Sequence, residues 1–174
     1  MAQVSFLSRV PFPRVVILSL SLDFMSCANL PKTYAAIHRV AKRKIDSISV
    51  GHILRNTSSE PATLLRTSQW LHKQLPMRFA RRIVDILKLP HVVVCNAQIG
   101  EVLDNYVETF EKLYDFPEIS THEDEHRFLD LVSEQVLRHN NGTRLMAEGY
   151  RDVRRRYPEI TLDSFLQDHF TTRI

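Results

Sequence analysis

Glycine is scarce in this chain: there are 4 in 174 residues, isolated at Gly51, Gly100, Gly142 and Gly149. No Gly-x-x-x-x-Gly-Lys and no Gly-x-Gly-x-x-Gly occurs. The chain therefore lacks the glycine loops whose backbone N–H groups cradle nucleotide phosphates. No Gly-x-Ser-x-Gly elbow marks a serine nucleophile either. Cysteine is scarcer still, with Cys27 and Cys95 far apart and no Cys-x-x-Cys. A disulfide framework and a cysteine metal site are thereby excluded, and a reducing compartment fits. The apolar run Val15–Leu22 is closed by Asp23, well short of the ~18–20 residues a membrane span needs.

What is present is an ordinary globular mixture, 44% hydrophobic and 25% charged, long enough to bury a core. The net charge of +3 conceals an asymmetry. Residues 1–55 hold eight Lys/Arg against Asp23 and Asp46, a balance of +6, and residues 56–174 hold fifteen against eighteen, a balance of −3. The globular part is mildly acidic and has no basic face for nucleic acid. The two Asn-x-Ser/Thr triplets, Asn56-Thr57-Ser58 and Asn141-Gly142-Thr143, read as turns.

Residues 1–22 contain no acid but carry Arg9, Arg14, Ser5, Ser8, Ser19 and Ser21. That is the composition of a mitochondrial transit peptide. Pro11 and Pro13 would interrupt an amphipathic presequence helix, and the Val15–Leu22 run keeps a secretory signal as the competing reading.

The remainder reads as helix after helix. Pro61 opens one, with Leu64, Leu65, Ser68, Leu71 and His72 at helical spacing up to Leu75-Pro76;. A second is expected from Met77 to Leu87, on the stripe Phe79, Ile83 and Leu87, ended by Leu89-Pro90;. The β-branched segment His91–Cys95 is expected to be extended or tucked beneath the bundle. Asn96 caps a helix to about Tyr114 with Ile99, Val102, Leu103, Tyr106, Phe110 and Leu113 inward;. Ser120-Thr121-His122-Glu123 reads as a capping box with Ser120 at the cap;. From it a helix is predicted to His139, with Phe128, Leu129, Val132, Val136 and Leu137 inward, stopped by Asn140-Asn141-Gly142;. Leu145–Tyr157 makes another, ended by Pro158. The last begins at Thr161 with Leu162, Phe165, Leu166, Phe170 and Ile174 as its apolar face. Helices joined by short turns, with no alternating strand pattern, predict an all-α antiparallel bundle. The final stripe reaches Arg173-Ile174 without a stop signal, which predicts a helix running past the given sequence, in a truncated gene model or a short isoform;.

His122-Glu-Asp-Glu-His126 matches the zinc-protease pattern His-Glu-x-x-His;. It falls, however, on the acid-rich first turn of a predicted helix, where the helix dipole alone accounts for the carboxylates. No metal site is assigned, and no catalytic residue is identified in the chain.

The most specific segment is Leu64 to Ile83. Leu71, Leu75, Pro76, Arg78 and Ala80 form Leu-x-x-x-Leu-Pro-x-Arg-x-Ala. It resembles the start of the regulatory helical domain in the mitochondrial protein kinases that phosphorylate pyruvate dehydrogenase and branched-chain α-ketoacid dehydrogenase. Cys95-Asn96, Tyr106, Phe110, Leu113 and Asp115-Phe116-Pro117-x-Ile119 resemble the branched-chain branch in particular. Arg138-His139-Asn140, Met146-Ala147-Glu148-Gly149 and Phe165-Leu166 through Arg173-Ile174 continue the match in family order, so that it covers about residues 47–174. Gln74 stands where the family usually has Glu.

The resemblance implies an all-α, antiparallel four-helix-bundle-like regulatory domain with extra short N-terminal helices. It would occupy residues 46–174, after a transit segment over 1–45 that directs the chain to the mitochondrial matrix. Such a domain docks the lipoyl domain of the dehydrogenase E2 core and holds a pocket for small α-keto or α-halo acids. The matching positions are Leu71, Tyr106, Thr109, His139 and Arg173. An acid entering an apolar bundle needs donors at its carboxylate, which Arg173 and His139 can supply. His139 alone would also suit a helix C-terminus. The family's second pocket arginine falls one turn after Arg173, beyond Ile174. ATP and Mg belong to the family's other half, whose Glu-x-x-x-Asn helix and Asp-x-Gly-x-Gly lid have no counterpart here. The chain alone is expected to be inactive, whereas the full-length family phosphorylates a serine of the E1 component and forms homodimers. The alternative is a non-catalytic helical adaptor that binds the lipoyl domain.

Overall fold

A computed structural model describes residues 30–47 and 60–171. The chain divides into two compact units, residues 1–35 and 36–174. Of the first, the described part is the opening of helix α1 (Leu30–Ala41). The transit segment expected at the N-terminus, the triplet at Asn56, Arg173 and Ile174 lie outside the described residues.

In the second unit α1 ends with Ile37 and Val40, buried at three-residue spacing. There follow α2 (Pro61–Leu87), α3 (His91–Val94), α4 (Ala97–Tyr114), α5 (His122–Arg138), a 3-10 turn over His139–Asn141, α6 (Gly142–Arg156) and α7 (Asp163–Thr171). No strand occurs among the described residues, and no helix among them is long and apolar enough to cross a membrane.

Helix α2 corrects the expectation of two helices meeting at Leu75-Pro76. It is one helix of 27 residues with Pro76 inside it. An interior proline removes the hydrogen bond to the carbonyl four residues back, that of His72, at a cost of about 3 kcal/mol. The helix continues because Pro76 lies on its buried face with Met77, Ala80, Ile83 and Ile86. Each large apolar side chain buried contributes about 1.5–3 kcal/mol, enough to offset the break. His91–Val94 is likewise helical rather than extended. Pro90 takes the cap position, and its carbonyl accepts the N–H groups of Val93 and Val94 at 2.8 and 3.2 Å.

Asn96 caps α4 as expected, its Oδ1 accepting the N–H groups of Gln98 and Ile99 at 3.1 and 3.2 Å. The capping box of α5 lies one residue later than read from the sequence. Thr121 is the cap, and the Asp124 carboxylate accepts from the Thr121 N–H at 3.0 Å and the Ser120 N–H at 3.2 Å. The α5 helix stops at Arg138, with His139 as its C-cap, at the asparagine–glycine run as expected. Arg138, His139, Asn141 and Gly142 all keep right-handed helical backbone angles, and the chain only tightens to a 3-10 turn before α6.

Pairings across the helices give the topology. Gln69 Nε2 donates to the Ile119 carbonyl at 3.0 Å, and the His72 Nε2–H to that of Phe116 at 3.0 Å. Phe79 meets Tyr106, so α2 and α4 run antiparallel. Lys112 pairs with Glu134, Thr109 with Gln135 and Asn96 with Asp152. Positions thus fall along α4 as they rise through α5 and α6, which form one rod antiparallel to α4. Helix α7 returns along that rod, with Asp163 at Tyr150 and His169 at Tyr106. The result is an up-and-down bundle of α2, α4 and the α5–α6 rod, which α7 joins through these two contacts;. Its core includes Leu113, Ile119 and Phe128, with Leu65, Leu71, Leu75, Phe116, Leu131 and Val132 packed against them.

Two inward faces differ from the sequence reading. On α5, Leu129, Val136 and Leu137 are 38%, 60% and 70% exposed, whereas Glu125, Phe128 and Gln135 are buried. On α7, Phe170 is 38% exposed and His169 is buried in its place. In both, polar residues with hydrogen-bond partners occupy positions that a hydrophobicity pattern gives to apolar ones.

Candidate functional site

The motif residues hold α2 to the segment before it. Ala80 is fully buried, where a larger side chain would push its neighbours apart;. Pro76 is buried and Leu75 packs on the Leu113–Phe128 cluster. Arg78 Nη2 donates to the Asp46 carbonyl at 3.0 Å. One turn on, Arg81 donates to the carbonyls of Ala41 and Arg43 at 3.1 and 2.7 Å. Gln74, the departure from the family's usual Glu, exchanges two hydrogen bonds with Asp46. Burial pushes the Arg78 guanidinium below its ordinary range, with the neighbouring Arg81 charge acting in the same direction. The motif's polar residues thus serve as an anchor for residues 41–46.

Of the five pocket residues read from the sequence, the structure brings Tyr106, Thr109 and His139 together. Tyr106 and Thr109 lie one turn apart on α4, and His139 comes from the 3-10 turn that links α5 to α6. The His139 ring stacks on Tyr106 with centroids 5.0 Å apart, and Phe79 closes on both. Thr109 is fully buried. Its Oγ1 lies 2.8 Å from the Asn105 carbonyl, 3.0 Å from Gln135 Oε1 and 2.9 Å from His139 Nε2. A hydroxyl has one proton and two lone pairs. With that proton directed at a carbonyl, His139 Nε2 acts as a donor to Thr109. Leu71 packs instead on the Leu113–Phe128 cluster, and Arg173 lies outside the described residues.

Three residues were not assigned to the site from sequence. Phe79 forms its aromatic wall. His169 reaches Tyr106 Oη at 3.3 Å with its ring tilted over the same group. Gln135 is 3% exposed, and its carboxamide meets the Thr109 hydroxyl at 3.0 Å. The signal for the last two was positional. Gln135 falls on the 125–128–132–135 spacing of α5, and His169 on the 162–165–169 spacing after Leu162.

Charges fix the register of this wall. Lys112 pairs with Glu108 at 3.3 Å and Glu134 at 2.9 Å, and Arg138 pairs with Glu108. The hydrogen bond between Lys112 and Glu134 raises the lysine and lowers the carboxyl. Such exposed pairs add little stability but orient α5 on α4.

The His122–His126 motif forms no convergent site. His122 Nδ1 lies 2.8 Å from Glu125 Oε2, and His126 Nδ1 donates to the His122 carbonyl at 2.6 Å. No group of three metal-ligating side chains occurs among the described residues. Gly100, Gly142 and Gly149 all lie within α4 and α6, and none has a positive φ. The described residues therefore do not fit the phosphates of ATP or its Mg.

The family model described as mitochondrial branched-chain alpha-ketoacid dehydrogenase kinase matches residues 47–174. A curated relative, the mitochondrial [pyruvate dehydrogenase (acetyl-transferring)] kinase of Arabidopsis thaliana, is 30% identical over 155 residues. The alignment covers 86% of this chain and 42% of the relative, so the chain spans less than half of that relative's length. The anchored Leu-Pro-x-Arg motif, the helical bundle and the family match over most of the sequence agree: this chain belongs to the mitochondrial branched-chain α-ketoacid dehydrogenase kinase family.

Proposed function

We propose that residues 46–174 are the regulatory and docking domain of a mitochondrial α-ketoacid dehydrogenase serine kinase, and that residues 1–45 direct it to the matrix. The domain binds the lipoyl domain of the E2 core. It couples that docking to a small α-keto or α-halo acid held at Tyr106, Thr109 and His139, with Arg173 at the acid's head. In this reading phosphorylation of an E1 serine, with ATP and Mg, belongs to a nucleotide-binding half outside this chain, and the full-length kinase is a homodimer.

The observation that supports the reading best is the polar cluster inside the bundle. Thr109 and Gln135 are buried between apolar helices and meet each other at 3.0 Å, with His139 Nε2 2.9 Å from the same hydroxyl. A carboxylate beside His139 would draw donors of this cluster away from their present acceptors, as charge-assisted hydrogen bonds are the stronger ones. The enclosing rings of Phe79, Tyr106 and His169 suit an aliphatic acid body;.

The test is linkage. The affinity of the full chain for a lipoylated E2 lipoyl domain is measured by calorimetry with and without a branched α-keto acid. A saturating acid is expected to change that affinity about fivefold or more. Failure of the lipoyl domain to bind in either condition would overturn the docking role. Equal affinities in both would overturn the coupling.

A further inference from the structure

Helix α6 carries five arginines and two acids in fifteen residues. Its inner face, Leu145, Met146, Gly149 and Val153, is buried against α4. On the outer face both acids are already engaged: Glu148 with Arg144 at 2.9 Å and Asp152 with Arg156 at 3.3 Å, Asp152 also accepting from Asn96. That leaves Arg151, Arg154 and Arg155, all exposed and without a hydrogen bond or ion pair among the described residues. With Ala147 and Tyr150 they line an open depression of about 390 Å³. The Tyr150 hydroxyl is committed, donating to Asp163 at 2.7 Å.

Like charges three and four residues apart on a helix repel. The helix dipole favours cations in the last turn, which accounts for Arg154 and Arg155 but leaves Arg151, a turn earlier, unexplained. We propose that this face of α6 is a docking surface for an acidic protein segment, one that presents carboxylates about a helical turn apart. Guanidinium groups at i, i+3 and i+4 are neighbours at about 5–6 Å between Cβ atoms. That spacing matches paired carboxylates on a facing helix, and each arginine can hold one bidentately. Two other polyanions fit less well. A membrane surface needs apolar anchors beside the basic groups, and the depression offers only Ala147 and a tyrosine whose hydroxyl is engaged. A nucleic acid would extend past the patch over residues 56–174, whose charge balance is −3. The surface is independent of the acid pocket and of the role proposed for it.

The experiment titrates the full chain into a fluorescein-labelled Ala/Glu helical peptide with Glu pairs one turn apart, followed by anisotropy. Its controls are a Lys-for-Glu counterpart peptide, inorganic phosphate and vesicles containing anionic lipid. Three outcomes are expected together. The acidic peptide binds, and binding weakens about tenfold or more when salt is raised to ~0.3 M. The triple change Arg151→Gln, Arg154→Gln, Arg155→Gln abolishes binding, while Lys42→Gln with Lys44→Gln leaves it unchanged. The far-UV circular dichroism of both variants matches the parent. Equal loss in the two variants, or binding insensitive to salt, would overturn the proposal. So would phosphate or vesicle binding at Arg151–Arg155 without peptide binding. Concentration-dependent self-association removed by the triple change would assign the face to a second copy and also overturn it. If the triple variant failed to fold, the single change Arg151→Gln would decide, weakening peptide binding about threefold or more if the face is the site and leaving it unchanged if not.

Discussion

The Gln74 carboxamide and Asp46 are joined in both directions: the Asp46 N–H donates to Gln74 Oε1 at 3.1 Å, and Gln74 Nε2 donates to Asp46 Oδ2 at 2.9 Å. The carboxamide accepts from a backbone N–H and donates to a carboxylate at once, which an ionised Glu at this position could not do. Gln74 is 5% exposed and Asp46 is exposed, so the exchange is half-buried, with the amide on the inner side.

Gln74→Glu should therefore destabilise the chain by about 1–3 kcal/mol at neutral pH, since it removes the donor and buries a carboxylate against Asp46. Urea unfolding measures the loss. Asp46→Asn in the same chain should restore much of it. A single Gln74→Glu variant within about 0.5 kcal/mol of the parent would mean that the anchor does not depend on this pair.

Gly149 governs how closely α6 approaches α4. A Cβ there would lie 2.6 Å from Asn96 Oδ1 and 2.7 Å from Ile99 Cγ1. Ala would favour the helix by propensity alone, by about 1 kcal/mol. The clash with a capping oxygen and a buried branch should outweigh this, giving a net loss of about 1–3 kcal/mol. A thermal melt of Gly149→Ala higher than that of the parent would contradict the packing described.

The two faces of α5 can be separated by paired substitutions. Phe128 is fully buried and Leu137 is 70% exposed. Phe128→Ala is expected to cost about 3–5 kcal/mol, and Leu137→Ser to stay within about 0.5 kcal/mol. Comparable losses would restore the inward face read from the hydrophobic pattern.

That contrast shows what was legible in the sequence. The all-helical bundle was, because Asn96 and the three- and four-residue spacing of Ile99, Val102, Leu103, Phe110 and Leu113 all favour one helix. The continuity of α2 through Pro76 was not: local rules place a break before proline, and only burial of that face overrides them. The inward placement of Glu125, Gln135 and His169 was hidden for a related reason. A hydrophobicity pattern scores polar residues as outward, and their hydrogen-bond partners come from other helices. Of the site, Tyr106, Thr109 and His139 were reached through the family motif order, not through any chemistry visible in their spacing.

Acid should loosen the start of α5. The Asp124 carboxyl is held below the ordinary carboxylate range, first by the Thr121 hydroxyl and then by the Ser120 and Thr121 N–H groups. A carboxyl whose folded pKa is lowered contributes stability that is fully present above its unfolded value, near 3.9. That stability is lost as pH falls through the folded value. The stability difference between the parent and Asp124→Ala should thus be greatest above about pH 4.5 and shrink on acidification. A difference that grows below pH ~4 would carry the wrong sign for this cap.

The central claim is that Tyr106, Thr109 and His139 form the seat of a small acid inside the bundle, and the His139 ring reports on it most directly. The full chain, labelled at histidine, is titrated with a branched α-keto acid and, separately, with the matching alcohol lacking the carboxylate, while imidazole resonances are followed by NMR. The account predicts saturable shifts of His139 with the acid only, abolished by Thr109→Val while the helical spectrum is retained. Shifts confined to the exposed His122 and His126, or equal shifts with the alcohol, would contradict it.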